Sequence, residues 1–421
     1  MRSSDDVRLR LWISRATYLT PLFWLLGALA LGFLSPLLDE WVNVDTGIST
    51  DAARQMLTAI GSGMIAFTGL VFSLTLLIVQ FSSQSLSPRV VPELRRDQFV
   101  GHALGVFIAT FVFCLGAVLD VGDPTKGETS PTITVLIAFI LLIASVVMFL
   151  GLIARISTGL QIPVVLHRLG VLGRAAVDDA YPDRFDGQAE PPRFPGLPGT
   201  ATVLDHHGQS AIVATVAIME LRELAAQTGA EIELVPAIGE RVSTGEPLLR
   251  VLPGPSGLEP DHHRLRRAIV FAPARTIEQD PAYALRLIVD IAIKALSPAI
   301  NDPTTATQAL DEIQDLLRLV ANRTVTHSQT NVHIRAPTWP DLVDLALDEI
   351  SQFGARSIQV SRRVRALIDQ LLPAVPEARR PALRSQLDAL DHELDEAFPN
   401  PSLRANAAVS DPMGLGLSTE Y

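Results

Sequence analysis

Residues 294–306, Lys-Ala-Leu-Ser-Pro-Ala-Ile-Asn-Asp-Pro-Thr-Thr-Ala, hold the densest set of polar groups that could act on a ligand. Ser297-Pro298 should end one helix, because proline disfavours helical geometry in the residue before it. Asp302-Pro303 should begin the next, an N-cap carboxylate followed by proline at the first helical position. Lys294, Ser297, Asn301, Asp302 and Thr304 therefore meet at one corner. Two chemistries fit it. Asp302 can cap one helix while Lys294 offsets the dipole of the other, with no ligand. Alternatively, the second helix N-terminus takes a small anionic ligand or a partner surface. In a purely capped corner, Asn301→Ala should be silent.

Other clusters are weaker. Two Asp-His-His triplets stand at 205–207 and 261–263. Imidazole and carboxylate do bind transition metals. Neither triplet has a metal-site spacing, however, and adjacent strand residues point to opposite faces. Asp388, His392 and Glu396 fall at i, i+4 and i+8 of an expected helix, the pattern of a solvated face. No nucleophile elbow, phosphate loop or metal signature occurs, so no catalytic residue, metal or cofactor is expected, and the chain reads as a non-enzyme.

A second pattern lies in an apolar segment. Thr58, Ser62, Gly69, Ser73 and Gln80 step by four and seven, with Ile65 and Leu76 completing the register. On a helix they form one small and polar stripe. Such a stripe suits close packing against neighbouring helices, or the wall of a pore in a homo-oligomer.

The elements that must position these residues follow from composition. The chain has 421 residues, 48% of them apolar, a net charge of -11 and one cysteine, Cys114. The acidic balance argues against nucleic acid as a partner. Apolar residues concentrate in the first 155 positions, where four segments are long enough to cross a bilayer. They run over Tyr18 to Leu38, Met56 to Phe81, Val100 to Leu119 and Thr132 to Ile153. Ala-Leu-Ala at 28–30 mimics a signal cleavage site, but the apolar run continues through Leu38, which favours an anchored span. No Asp, Glu, Lys or Arg stands deep in a span, and Gly101 and Gly105 form a GxxxG that suits a helix pair.

Ten basic residues flank one side of these spans: Arg2, Arg8, Arg10, Arg15, Arg89, Arg95, Arg96, Arg155, Arg168 and Arg174. Only Arg54 and Lys126 flank the other. The positive-inside rule then puts both termini and the soluble region in the cytoplasm of a bacterium, with the spans in its inner membrane. Trp12, Tyr18 and Trp41 stand where interfacial aromatics belong.

The expected fold is thus an integral membrane protein, four transmembrane α-helices followed by a cytoplasmic α+β region. Residues 1–160 are the transmembrane domain, and 161–199 a connecting segment with a Pro/Gly-rich linker. Residues 200–275 form a small β-rich module, 276–398 a helical domain and 399–421 a disordered tail. Within the module, Pro-Ala-Ile-Gly-Glu-Arg-Val-Ser-Thr-Gly-Glu-Pro (236–247) resembles half of the barrel-sandwich hybrid of lipoyl and biotinyl domains. No lysine stands at its tip, which argues against an attached cofactor. The helical domain should hold helices from Pro281 to Leu296, Pro303 to Val320, Asp341 to Leu372 and Glu377 to Phe398. On the first, Arg286, Asp290 and Lys294 form a narrow charged stripe that must meet solvent or facing polar groups.

Ala-Leu-Ser-Pro-Ala-Ile-Asn-Asp-Pro-Thr-Thr-Ala, following four spans and a small β module, resembles a bacterial family of predicted membrane proteins, domain of unknown function 2254. The resemblance implies an integral membrane protein with a large soluble part, and it implies no catalytic residues. The residues themselves suggest a channel-like homo-oligomer in the lipid bilayer, with a cytoplasmic domain for assembly or regulation. The alternative is a non-conducting sensor or scaffold that binds a ligand or partner through that domain.

Overall fold

The computed structural model describes residues 19–42, 48–85, 89, 98–121, 131–159, 161–187, 194–325 and 331–416. Arg2, Arg8, Arg10, Arg15, Arg95, Arg96, Lys126, Trp12 and Tyr18 lie outside them. The chain forms two compact units, one holding the four membrane helices and one running from Ile162 onward.

In the first unit, α1 (Leu19–Val42), α2 (Thr50–Ser85), α3 (Gln98–Val121) and α4 (Thr132–Gly159) are each long and apolar enough to span a bilayer. Helix α3 is the hub, packing against the other three. Its Ala103, Phe107, Ala109, Phe113, Cys114 and Ala117 are buried against Ala28 of α1, Leu57, Met64 and Val71 of α2, and Ala138 and Leu152 of α4. Polar groups between the helices are paired, as a hydrocarbon surrounding demands. The Thr110 and Ser145 hydroxyls lie 2.9 Å apart between α3 and α4, one donating to the other, and both are within hydrogen-bond distance of the Leu141 carbonyl, at 3.3 and 2.8 Å. Pro36 cannot donate to the Gly32 carbonyl, and the buried Ser35 hydroxyl donates to it instead at 3.4 Å. Near the end of α1, buried Asp39 caps α4. It accepts hydrogen bonds from the Ile133 and Thr134 amides at 2.6 and 3.3 Å and from the Thr134 hydroxyl at 2.6 Å.

The second unit opens with α5 (Ile162–Ala180), which packs on the helical bundle. The β module comes next, with β1 (Thr202–Asp205), β2 (Ala211–Val216), α6 (Ile218–Thr228), β3 (Glu231–Leu234), β4 (Arg241–Val242), β5 (Pro247–Leu252), α7 (His262–Arg267) and β6 (Ile269–Ala272). A four-stranded sheet has β1, β5, β3 and then β7 (Val332–Ile334) side by side, and a three-stranded sheet has the order β4-β2-β6. Alternate residues such as Val213, Ile232, Leu234, Leu249 and Val251 fill one core together with Leu221 and Leu265. Strand β7 (Val332–Ile334) pairs in parallel with β3. The module therefore borrows a strand from far beyond residue 275, which a contiguous 200–275 module does not allow for.

The bundle comprises α8 (Pro281–Leu296), α9 (Pro303–Val320), α10 (Trp339–Gly354), α11 (Ile358–Leu371), a 3-10 turn (Glu377–Arg379), α12 (Arg380–Ala397) and α13 (Pro401–Ala407). Helix α8 is buried on most sides through Leu285, Leu287, Ile288, Val289, Ile291 and Ala292. Buried Arg379 lies between the rings of Phe185 and Trp339, at 4.1 and 5.3 Å, and donates to the Val320 carbonyl at the end of α9.

Two sequence expectations are corrected here. The single helix from Asp341 to Leu372 is two helices, because the chain turns after Gly354 and the Ser357 hydroxyl caps α11 through the Val360 amide. The tail is ordered through Gly416. Asn400 caps α13, and Asp411 accepts the Met413 and Gly416 amides beside Arg362. The linker is pinned where it is described. The Phe185 amide donates to the Asn322 carbonyl, Phe194 stacks on His333 at 3.8 Å, and the Leu197 amide donates to Glu233.

Candidate functional site

The corner between α8 and α9 is closed by its own hydrogen bonds. Ser297 is extended, as Pro298 requires, and its hydroxyl donates to the Lys294 carbonyl at 2.7 Å. The Ile300 and Asn301 amides donate to the Ser297 carbonyl, and the Asp302 amide to that of Ala295. Asp302 caps α9, accepting the Thr305 amide at 3.1 Å and the Thr305 hydroxyl at 2.6 Å. Asn301 has a φ of +49°, making it the one non-glycine residue with positive φ among the described residues. Asparagine tolerates this left-handed conformation better than most side chains.

The five candidates at the corner thus divide. Ser297 and Asp302 are engaged in capping, while Asn301 and Thr304 are exposed. Lys294 is half-buried, and burial pushes its ammonium below the ordinary lysine value. The charged stripe of α8 meets a facing acid. Arg286 bonds Asp290 at 2.7 Å and forks onto Glu349 of α10, whose hydrogen bond holds the guanidinium above its ordinary value.

The histidine triplets serve structure. His206 is buried and its Nε2 lies 2.9 Å from the Gln209 carbonyl, while His207 contacts Arg266. Asp261 caps α7, and the amides of His263 and Arg264 hold its carboxyl below the usual range. His392 pairs with Glu396 at 3.5 Å on an exposed face. Among the described residues no three His, Cys, Asp or Glu side chains are grouped to hold a metal.

On α2 the stripe takes an orientation the sequence left open. Ala53, Leu57, Gly61, Met64 and Val71 are buried in the four-helix unit. Thr58, Ser62, Gly69, Ser73 and Gln80 are all exposed, as are Ile65 and Leu76. The Thr58 and Ser62 hydroxyls donate to the carbonyls of Arg54 and Ala59 in their own helix. From Thr58 to Ser73 the stripe therefore faces away from the other described helices of the four-helix unit.

Three polar centres escaped sequence reasoning. Glu312 of α9 accepts from Arg174 of α5 at 3.1 Å and lies 3.0 Å from His167 Nδ1; any side chain at Gly170 would collide with it. Asp280 joins Arg275, and Glu233 joins Arg250 and Leu197. Their partners lie 5 to 145 residues apart, and no local spacing marks them.

Comparison with known proteins agrees with this layout. The family model described as "Predicted membrane protein (DUF2254)" matches residues 14–370. Uncharacterized proteins of Mycobacterium bovis and Mycobacterium tuberculosis are 28% identical over 373 residues, covering 84% of this chain and 70% of each relative. No solved structure matches. With four spanning helices and a family match over most of its length, the chain belongs to the DUF2254 family of predicted membrane proteins.

Proposed function

We propose that the chain assembles into a homo-oligomer in the membrane through the outer face of α2, with a channel-like membrane part and a soluble unit that serves assembly or regulation. One observation carries this reading: the small and polar stripe of α2 is exposed on the single chain. Exposed Ala59, Gly63 and Ala66 widen the same face. Small residues let two helix backbones approach closely, whereas lipid chains gain little from them. The outward side of α2 also carries Ile65, Leu70, Phe72 and Leu76, but its small and hydroxyl residues form a continuous stripe, whereas α1 turns Phe23, Phe33 and Leu37 outward and α4 turns Phe139, Ile143 and Val147. Bulky apolar residues of that kind suit lipid. A second copy is the occupant we assign to the α2 face, and a ring of copies would line its axis with hydroxyl and glycine positions. The role is non-enzymatic in this reading. The excess of flanking arginines supports a bacterial inner membrane location with both termini cytoplasmic. A small anion at the corner has less support, because the Asp302 carboxylate already takes first-turn donors of α9.

Mass measurement in detergent and in nanodiscs tests the assembly. A side chain at Gly69 meets nothing within 4 Å in the single chain, so Gly69→Leu leaves the four-helix unit intact. The expected result is an oligomer for the wild type and single chains for Gly69→Leu at unchanged melting temperature. A wild type that is monomeric in both media overturns the reading. Planar-bilayer recording then separates a conducting assembly from a silent one.

A further inference from the structure

Helix α5 is buried along one side, where Leu166, Leu169, Gly173 and Ala176 pack on α8 and α9. The opposite side carries Val164, Arg168, Val171 and Ala175, at i, i+4, i+7 and i+11, which is one stripe of a helix. Val164 and Val171 are 46% and 48% exposed. Ala175 is exposed as well, and Arg168 is half-buried between the valines. Within α5, acidic residues come only at the far end, at Asp178 and Asp179. Arg174 lies at the edge of the stripe and is engaged by Glu312 at 3.1 Å and Asp315 at 3.8 Å.

The position of α5 in the chain bears on what meets this stripe. Helix α4 has 28 residues and is about 42 Å long, the thickness of a bilayer with its headgroup regions. Its end at Gly159 therefore stands at headgroup level. Helix α5 begins at Ile162, so a fully extended link allows it no more than about 11 Å from that end. We propose that the outer stripe of α5 rests on the lipid surface, with Val164, Val171 and Ala175 in the headgroup–acyl boundary and the Arg168 guanidinium among the lipid phosphates. The short link keeps the bilayer at a high effective concentration, so shallow insertion of three small side chains suffices. The arginine stem lies along the valines while its charged head reaches the phosphates. A stable protein interface takes about 20–30 residues a side, far more than this narrow stripe offers. A soluble unit held to the bilayer in this way does not depend on assembly through α2.

Nitroxide labels on the full chain, in nanodiscs of phosphatidylcholine and phosphatidylglycerol, test the contact. Cys114→Ala removes the one native thiol, and single labels then go on Val164→Cys and Val171→Cys. Val147→Cys, on the exposed side of α4, is the lipid reference, and Asp388→Cys, exposed on α12, is the water reference. Collision with oxygen, which concentrates in lipid, is compared with collision with a nickel chelate, which stays in water. The oxygen-to-nickel ratio at Val164→Cys and Val171→Cys should be several-fold above that at Asp388→Cys and on the side of Val147→Cys. Adding Arg168→Glu should raise nickel collision at Val171→Cys several-fold. A ratio equal to that at Asp388→Cys means water and overturns the proposal. Exclusion of both probes means cover by protein and overturns it too, as does Arg168→Glu without effect. Melting temperatures check that each variant folds, and Arg168→Gln replaces Arg168→Glu if the latter does not.

Discussion

Asp280 grips Arg275 with both carboxylate oxygens, Oδ2 to Nε at 2.5 Å and Oδ1 to Nη2 at 3.1 Å. The same carboxylate caps α8 through the Tyr283 amide at 3.0 Å, and the Arg275 guanidinium lies 5.1 Å from the Tyr283 ring. Gly239, in the β module, lies directly against the pair. One buried acid thus ties the start of the central helix to the module before it.

Gly239→Ala should destabilise the chain by ~1–3 kcal/mol, because its φ of +86° suits glycine and its new carbon would stand 2.3 Å from Asp280 Oδ2. Asp280→Ala should lose the cap, worth ~0.5–2 kcal/mol, and Asp280→Asn should lie between it and the wild type. Unfolding followed by tryptophan fluorescence ranks the three. A wild-type melting temperature for Asp280→Ala would refute this account.

At the α8–α9 corner, Asp302→Ala should also cost ~0.5–2 kcal/mol, with Asp302→Ser recovering most of it. The structure changes the expectation for Asn301. Alanine there is forced into the left-handed region, so Asn301→Ala should cost ~1–2 kcal/mol, while Asn301→Gly should match the wild type. The glycine variant is therefore the clean probe of function. If it keeps the fold but loses assembly, the exposed amide acts on a partner. If it keeps both, the corner is structural.

Asp348 provides a pH test. Burial pushes its carboxyl up, the Gln386 amide opposes this, and the Asp344 and Glu349 charges push it up further. The folded chain then holds this proton more tightly than the unfolded chain does. Its contribution to stability is complete below the unfolded value and is lost as pH rises through the raised one. Asp348→Asn, which still accepts from Gln386, should raise the melting temperature at neutral pH. The gain should shrink on acidification. A gain that is constant across pH would point to a cause other than this ionisation.

Topology can be read with a reporter active only in the periplasm. Fused after Thr46 or Gly127 it should be active, and after Gly199 it should be inactive. The reverse pattern would invert the orientation, and activity at all three points would contradict four spans.

The membrane helices were legible because hydropathy is a local property: each span found in the sequence lies inside an observed helix or within a residue of its end. Asp280-Pro281 and Asp302-Pro303 were legible as helix starts for the same reason. Asn400-Pro401 carries an equivalent signal, and the small and glycine-rich composition of the chain beyond Ala405 concealed it. The break after Gly354 was hidden because the apolar period continues across it; the Val360 side chain packed against Gly354 marks it only in three dimensions. The corner residues were legible as neighbours, but the φ of Asn301 depends on how two helices close on a short turn. The direction of the α2 stripe depends on which face α3 occupies beside it.

The first-turn amides of α4 are capped from α1, so the last span depends on the first for its terminus. A ribosome delivers Asp39 to the membrane long before Thr134 exists, and the acceptor is waiting when its helix arrives. Insertion order and hydrogen bonding are thereby matched. A chain deprived of α1 would have to leave the Ile133 and Thr134 amides to water. Their hydrogen exchange should then be faster than in the intact chain while the middle of α4 stays protected.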